Sequence, residues 1–83
     1  MFDQLVFQPH HITDAIHATY TFSNDWGVSV VSGKTAKSAL YGRIDENTYE
    51  VAIIRPNGNL TKDVKGWCTT DEVSAIMWAV SQI

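Results

Sequence analysis

From Val73 onward, apolar residues recur at Val73, Ile76, Met77, Val80 and Ile83, in steps of three and four that place them on one stripe of an α-helix. Just ahead of the stripe, the Thr69 hydroxyl can cap the first turn while Glu72, three residues on, reaches back to the cap's own amide. Cys68 and Val73 occupy the two positions that staple such a box. The spacing therefore predicts a helix over 69–83. A helix this short is held mainly by packing rather than by propensity. What precedes it must offer a surface, and the polarity pattern there has the two-residue period of a sheet.

Ala18, Tyr20 and Phe22 alternate with Thr19, Thr21 and Ser23, and Ser23-Asn24-Asp25 is turn chemistry. Trp26-Gly27 then leads into Val28–Ser32 as the returning strand. Residues 33–42 show no clean period and predict a mobile loop carrying Leu40 and Tyr41, followed by a polar, turn-prone stretch centred on Asp45-Glu46-Asn47. Tyr49, Val51 and Ile53 face one way and Glu50, Ala52 and Ile54 the other; both sets are partly apolar, as in a central strand. Arg55-Pro56-Asn57-Gly58-Asn59 reads as a type I turn with a glycine bulge. A short edge strand over 59–64 follows, with Lys62 and Asp63 discouraging the addition of another chain, and Lys65-Gly66-Trp67 crosses to the helix.

The start of the chain is ambiguous. Phe2, Leu5, Val6 and Phe7 fit a strand or one helical turn, Pro9 interrupts them, and His10 to His17 can be a turn of helix or an extended lead-in. The expected architecture is α+β: an antiparallel sheet of about four strands within 18–64, with the C-terminal helix on one face. One domain spans 1–83, with 1–17 as an N-terminal segment of unassigned structure and with no repeat or linker.

Composition narrows the functional classes. Hydrophobic residues make up 45% and charged residues 18%, a globular balance. No apolar run approaches the roughly 20 residues that span a bilayer, and Met1-Phe2-Asp3 lacks the basic start of a secretion signal, so the expectation is a cytoplasmic protein without a membrane partner. A net charge of −3 with scattered basic residues argues against direct nucleic-acid binding, which draws on clustered Lys and Arg, and it is too mild for a DNA mimic. Cys68 is the single cysteine, which excludes an internal disulfide and a multi-cysteine zinc site.

Candidate chemistry is sparse. His10, His11 and His17 invite a metal reading, but no Cys-x-x-Cys, His-Glu-x-x-His or carboxylate pattern supports it, and neither metal nor cofactor is expected. Cys68 precedes a helix start, where a dipole lowers a thiol's pKa, yet its staple position favours an inert, packed thiol. There is no nucleophile elbow, phosphate-cradling glycine loop or acid/base carboxylate pair, so the chain is expected not to be an enzyme. Trp78 falls nearly opposite the helix's apolar stripe; either the N-terminal segment buries it or it anchors a partner. Trp26 and Trp67, beside glycines at element ends, read as closing the rim of the core. Tyr41 in its loop reads as an exposed contact residue, and Asp45, Glu46 and Glu50 as an acidic cluster that either is solvated or meets a basic partner.

Phe22-Ser23-Asn24 with Gly27-Val28-Ser29-Val30-Val31, then Tyr49–Ile54, Gly58-Asn59-Leu60, Asp63–Trp67 and Thr69–Val73, resembles small uncharacterised accessory proteins of tailed bacteriophages, over about residues 20–80. The resemblance implies no catalytic residues. It implies a protein that acts on host machinery, including as an anti-CRISPR-like inhibitor that blocks a host defence or nucleic-acid-processing complex, protein or ribonucleoprotein, by steric occlusion in the host cytoplasm. Trp78, Tyr41, Asp45, Glu46 and Glu50 are then the expected contacts. The alternative is a self-associating phage protein in which Trp78 and the first residues form a homodimer seam.

Overall fold

A computed structural model of the chain describes residues 1–10 and 13–83. Among these residues five strands form one antiparallel sheet in sequence order: β1 (Gln8–Pro9), β2 (Ala15–Thr21), β3 (Gly27–Gly33), β4 (Tyr49–Ile54) and β5 (Leu60–Cys68). The helix α1 (Thr70–Ser81) crosses one face, giving the α+β arrangement expected from the sequence. The strand count is five rather than about four. The addition is β1, whose Gln8 and Pro9 pair with His17 and Ile16; two residues are too few to show a period. The last strand also differs. It extends through Lys65-Gly66-Trp67, which was expected to be a crossover, so β5 is the longest strand of the sheet.

Alternation decides which side faces the helix. Val28 and Val30 of β3, Tyr49 and Val51 of β4 and Ala18 of β2 point inward to meet Val73, Met77 and Val80 of α1, with Cys68 and Leu5 at the margins. Burying a Val or Met side chain fully contributes about 1.5–3 kcal/mol, so this one layer carries most of the favourable energy available to so small a chain. Ser32 is buried among them, and its hydroxyl donates to the Thr48 carbonyl at 2.8 Å, which removes the cost of an unpaired polar group.

Both ends of α1 are satisfied by residues close at hand. At its start the capping box is complete: the Glu72 amide donates to Thr69 Oγ1 at 3.2 Å, and the Thr69 amide donates to Glu72 Oε1 at 2.9 Å. At its end Asn24 Nδ2, from the β2–β3 turn, donates to the carbonyls of Val80 and Ile83 at 2.9 and 3.2 Å, covering acceptors a helix end leaves open. The N-terminal segment starts with a single 3₁₀ turn, Phe2–Gln4, tied to the helix by the Phe2 amide donating to Ser74 Oγ at 2.9 Å. Phe2, Phe7 and Tyr49 close that end of the layer, with ring centroids 5.0–5.8 Å apart.

The capping box gives stability a pH signature. The bond from the Thr69 backbone amide, and after it the Thr69 hydroxyl, hold the Glu72 carboxyl below its ordinary value of 4.5. A lowered folded-state value means that the stabilisation is present above that ordinary value and is lost as pH falls through the lowered one. Glu72→Ala is expected to flatten the fall in melting temperature on acidification below that value. A wild-type and variant pair whose melting temperatures run parallel through the acid range would remove Glu72 as the source.

Candidate interaction surface

Among the described residues no α-helix covers the face of the sheet opposite α1. Register fixes what it shows: Glu50 lies beside Val31 and His17, Ala52 beside Ser29 and Thr19, and on the far side Ala52 and Ile54 lie beside Val64 and Leu60. The face thus grades from polar at β2 to apolar at β5.

At the end of that apolar strip β5 is deformed. Tyr49 pairs with Cys68 and Val51 with Lys65, so two residues of β5, Gly66 and Trp67, stand opposite one of β4, Glu50. This bulge holds Trp67 at φ 56°, left-handed backbone that a bulky L-residue adopts at a cost of order 1–3 kcal/mol. Neighbouring groups keep it there. The Trp67 amide donates to the Tyr41 carbonyl at 2.7 Å, and the Tyr41 amide donates to Glu50 Oε1 at 3.2 Å. Gly66 lets the two segments meet, since a Cβ on it would lie 2.5 Å from the Cβ of Tyr41. The rings of Tyr41 and Trp67 stand 6.3 Å apart at 66°, edge to face, and remain 61% and 51% exposed. Val64 and Leu60, at 50% and 54%, continue the strip along β5.

The expected contact residues divide between two sides of the molecule. Tyr41 and Glu50 come together on the open sheet face, Glu50 as the group that seats the Tyr41 loop. Asp45 pairs with Arg43 at 3.0 Å on the surface, an interaction worth about 0–1 kcal/mol, and Glu46 is exposed beside it in the 3₁₀ turn Ile44–Glu46. Trp78 lies on the helix layer, away from the sheet and 60% exposed. The described residues of the N-terminal segment do not cover it, because Phe2 is engaged with Ser74 and Tyr49 instead.

Trp67 departs from the expectation of a rim residue. Trp26 does pack against the core, but the bulge turns Trp67 outward, and with Val64 and Leu60 it forms a surface that composition alone did not suggest. The readable signal was Gly66: a glycine inside a strand, beside a Trp, marks close approach by another segment.

The remaining candidates are quiet. Cys68 is fully buried, its thiol directed at the carbonyls of Lys65 and Gly66 at 3.7 and 3.9 Å. Burial raises its pKa, the nearby Glu72 carboxylate adds to the rise and Lys65 opposes it, so the thiolate is disfavoured. The rings of His10 and His17 lie 5.3 Å apart; His11 is outside the described residues. Among the described residues no three of His, Cys, Asp or Glu gather into a metal-ligating group, and no pocket opens. Among the described residues no helix is long and apolar enough to cross a membrane. Comparison with protein-family models, with curated proteins and with solved structures finds no match.

Proposed function

We propose that this chain is a non-enzymatic protein-binding module whose contact surface is the Tyr41–Trp67 end of the open sheet face, with Trp78 as a separate anchor on the helix layer. The observation that carries the reading is the exposed aromatic pair held by a strained, hydrogen-bonded backbone. Tyr and Trp dominate binding hot spots, and side chains fixed before the encounter lose less entropy in it. The resemblance of the residue pattern to phage accessory proteins motivates a finer reading, an anti-CRISPR-like, phage-encoded inhibitor that occludes a host defence or nucleic-acid-processing complex. The net charge of −3 suits such a target, since surfaces that handle nucleic acid are basic and attract an acidic partner.

Two measurements test this together. In bacteria carrying an active interference complex, expression of the chain is expected to raise the plating efficiency of a targeted phage. The purified complex is expected to bind the chain about thirtyfold more weakly when Trp67 or Tyr41 is changed to alanine, the effect of losing a contact worth about 2 kcal/mol. Unchanged plating and no binding across a panel of interference complexes would discard the inhibitor reading. Binding that ignores both aromatic substitutions would discard this surface.

A further inference from the structure

We infer that Asn57 is a modification site: its side-chain amide is lost spontaneously, through attack by the Gly58 backbone nitrogen, to leave aspartate or isoaspartate at the tip of the β4–β5 hairpin. Residues 55–60 are all exposed, so the turn is open to water and to solvent base. Gly58 has no side chain to shield its nitrogen, and a Cβ built on it would meet nothing within 4 Å, which leaves room for a ring to close above the turn. Its φ of 88° lies where L side chains rarely go, so the turn itself favours glycine after Asn57. The Asn59 amide donates to Asn57 Oδ1 at 3.0 Å. That bond folds the Asn57 side chain forward along the turn and is aimed at the oxygen on which negative charge develops during attack.

The reaction is redox-neutral and needs only water and hydroxide. Hydroxide takes the Gly58 amide proton, the nitrogen bonds to Asn57 Cγ, and the Cγ–Nδ2 bond breaks, releasing ammonia with a proton from water. Water then opens the five-membered imide. Breaking the bond from nitrogen to Cγ gives aspartate; breaking the bond from nitrogen to the Asn57 backbone carbon gives isoaspartate. One contact opposes the attack: the Gly58 amide donates to the Arg55 carbonyl at 2.8 Å and must let go, which in an exposed turn lowers the reactive fraction by no more than about tenfold. The other asparagines are worse placed. Asn24 is held through both amide atoms, Nδ2 by the Val80 and Ile83 carbonyls and Oδ1 by the Trp26 amide. Asn47 and Asn59 precede Thr48 and Leu60, whose side chains crowd the attacking nitrogen. The outcome reaches the open sheet face, because isoaspartate adds a carbon to the main chain of the turn that closes the Ile54–Leu60 pair and the bond from the Arg55 amide to the Asn59 carbonyl.

This inference does not rest on the binding reading, since the site is chemical and needs no partner. The purified full chain, held for days at physiological temperature and mildly alkaline pH, is expected to yield a species about 1 Da heavier. Its net charge falls by one, from −3 to −4, so ion exchange separates it. Fragmentation of the tryptic peptide 44–62 is expected to place the change at Asn57, and an isoaspartyl methyltransferase with labelled methyl donor is expected to mark the isoaspartate fraction. The rate is expected to lie within about tenfold of that of the same chain unfolded in guanidinium chloride. Asn57→Gln keeps the amide but needs a larger ring, and is expected to convert about tenfold or more slowly, with a circular dichroism melt showing that it folds. Conversion more than about tenfold slower in the folded chain than in denaturant, earlier conversion at Asn24, Asn47 or Asn59, or an Asn57→Gln rate within about tenfold of the parent would each overturn the proposal.

Discussion

Met77→Ala is expected to cost about 2–5 kcal/mol of stability, the range for truncating a fully buried Met where the site collapses incompletely. Met77 sits on the inner stripe of α1 with Val73 and Val80, directly over the β3 and β4 valines. Collapse there is resisted from both sides, because the helix is fixed at Thr69 by its capping box and near Val80 and Ile83 by Asn24. A domain of this length has roughly 4–12 kcal/mol in total, so the loss is a large fraction of it. Urea unfolding followed by tryptophan fluorescence should show the midpoint falling sharply at unchanged slope. Ala75→Ser, on the exposed side of the same helix, serves as the control and should shift the midpoint by less than about 0.5 kcal/mol equivalent. A Met77→Ala loss below about 1 kcal/mol would mean that the helix is not seated as described.

The helix was legible because two independent signals agree over it, a 3.6-residue apolar stripe and a capping box, and each is written in adjacent residues. β4 was legible for a similar reason: Tyr49–Ile54 is apolar on both faces, the mark of a strand with neighbours on either side. β1 was not, since Gln8 and Pro9 become a strand only through partners at His17 and Ile16. The end of β5 failed for a different physical reason. Lys65-Gly66-Trp67 carries a glycine and no alternation, which reads locally as a connection, yet a bulge and a bond from a loop more than twenty residues earlier hold it in the sheet. The surface followed the same division. Tyr41, Trp78 and Glu50 could be singled out one at a time, by loop position, helical angle and charge. That Glu50 seats Tyr41, and that Tyr41 in turn fixes Trp67, is a tertiary fact with no local pattern to announce it.

That dependence makes Gly42 the residue whose change should reach furthest into the surface without touching it. A Cβ at Gly42 would lie 2.8 Å from the Cα of Tyr49 and 2.9 Å from the Thr48 carbonyl oxygen, and neither backbone atom can rotate aside. In Gly42→Ala the loop must therefore lift off the start of β4. Lifting it strains three bonds at once: the Gly33 amide to the Gly42 carbonyl at 2.9 Å, the Trp67 amide to the Tyr41 carbonyl, and the Tyr41 amide to Glu50. At about 0.5–1.5 kcal/mol net for each bond, the three bonds set an upper limit of about 1.5–4.5 kcal/mol on the loss, reduced by what Trp67 regains on leaving the left-handed region. It should be local in character. Amide exchange at Gly33, Tyr41 and Trp67 should accelerate, while Val30, Val51 and Met77 stay the slowest to exchange. Because both aromatic side chains survive in this variant, any fall in partner affinity measures the worth of holding them still rather than of having them. If the Trp67 amide stays protected in Gly42→Ala and binding is unchanged, the backbone around Trp67 is fixed by β5 alone, and the loop contributes the Tyr41 ring but not the geometry.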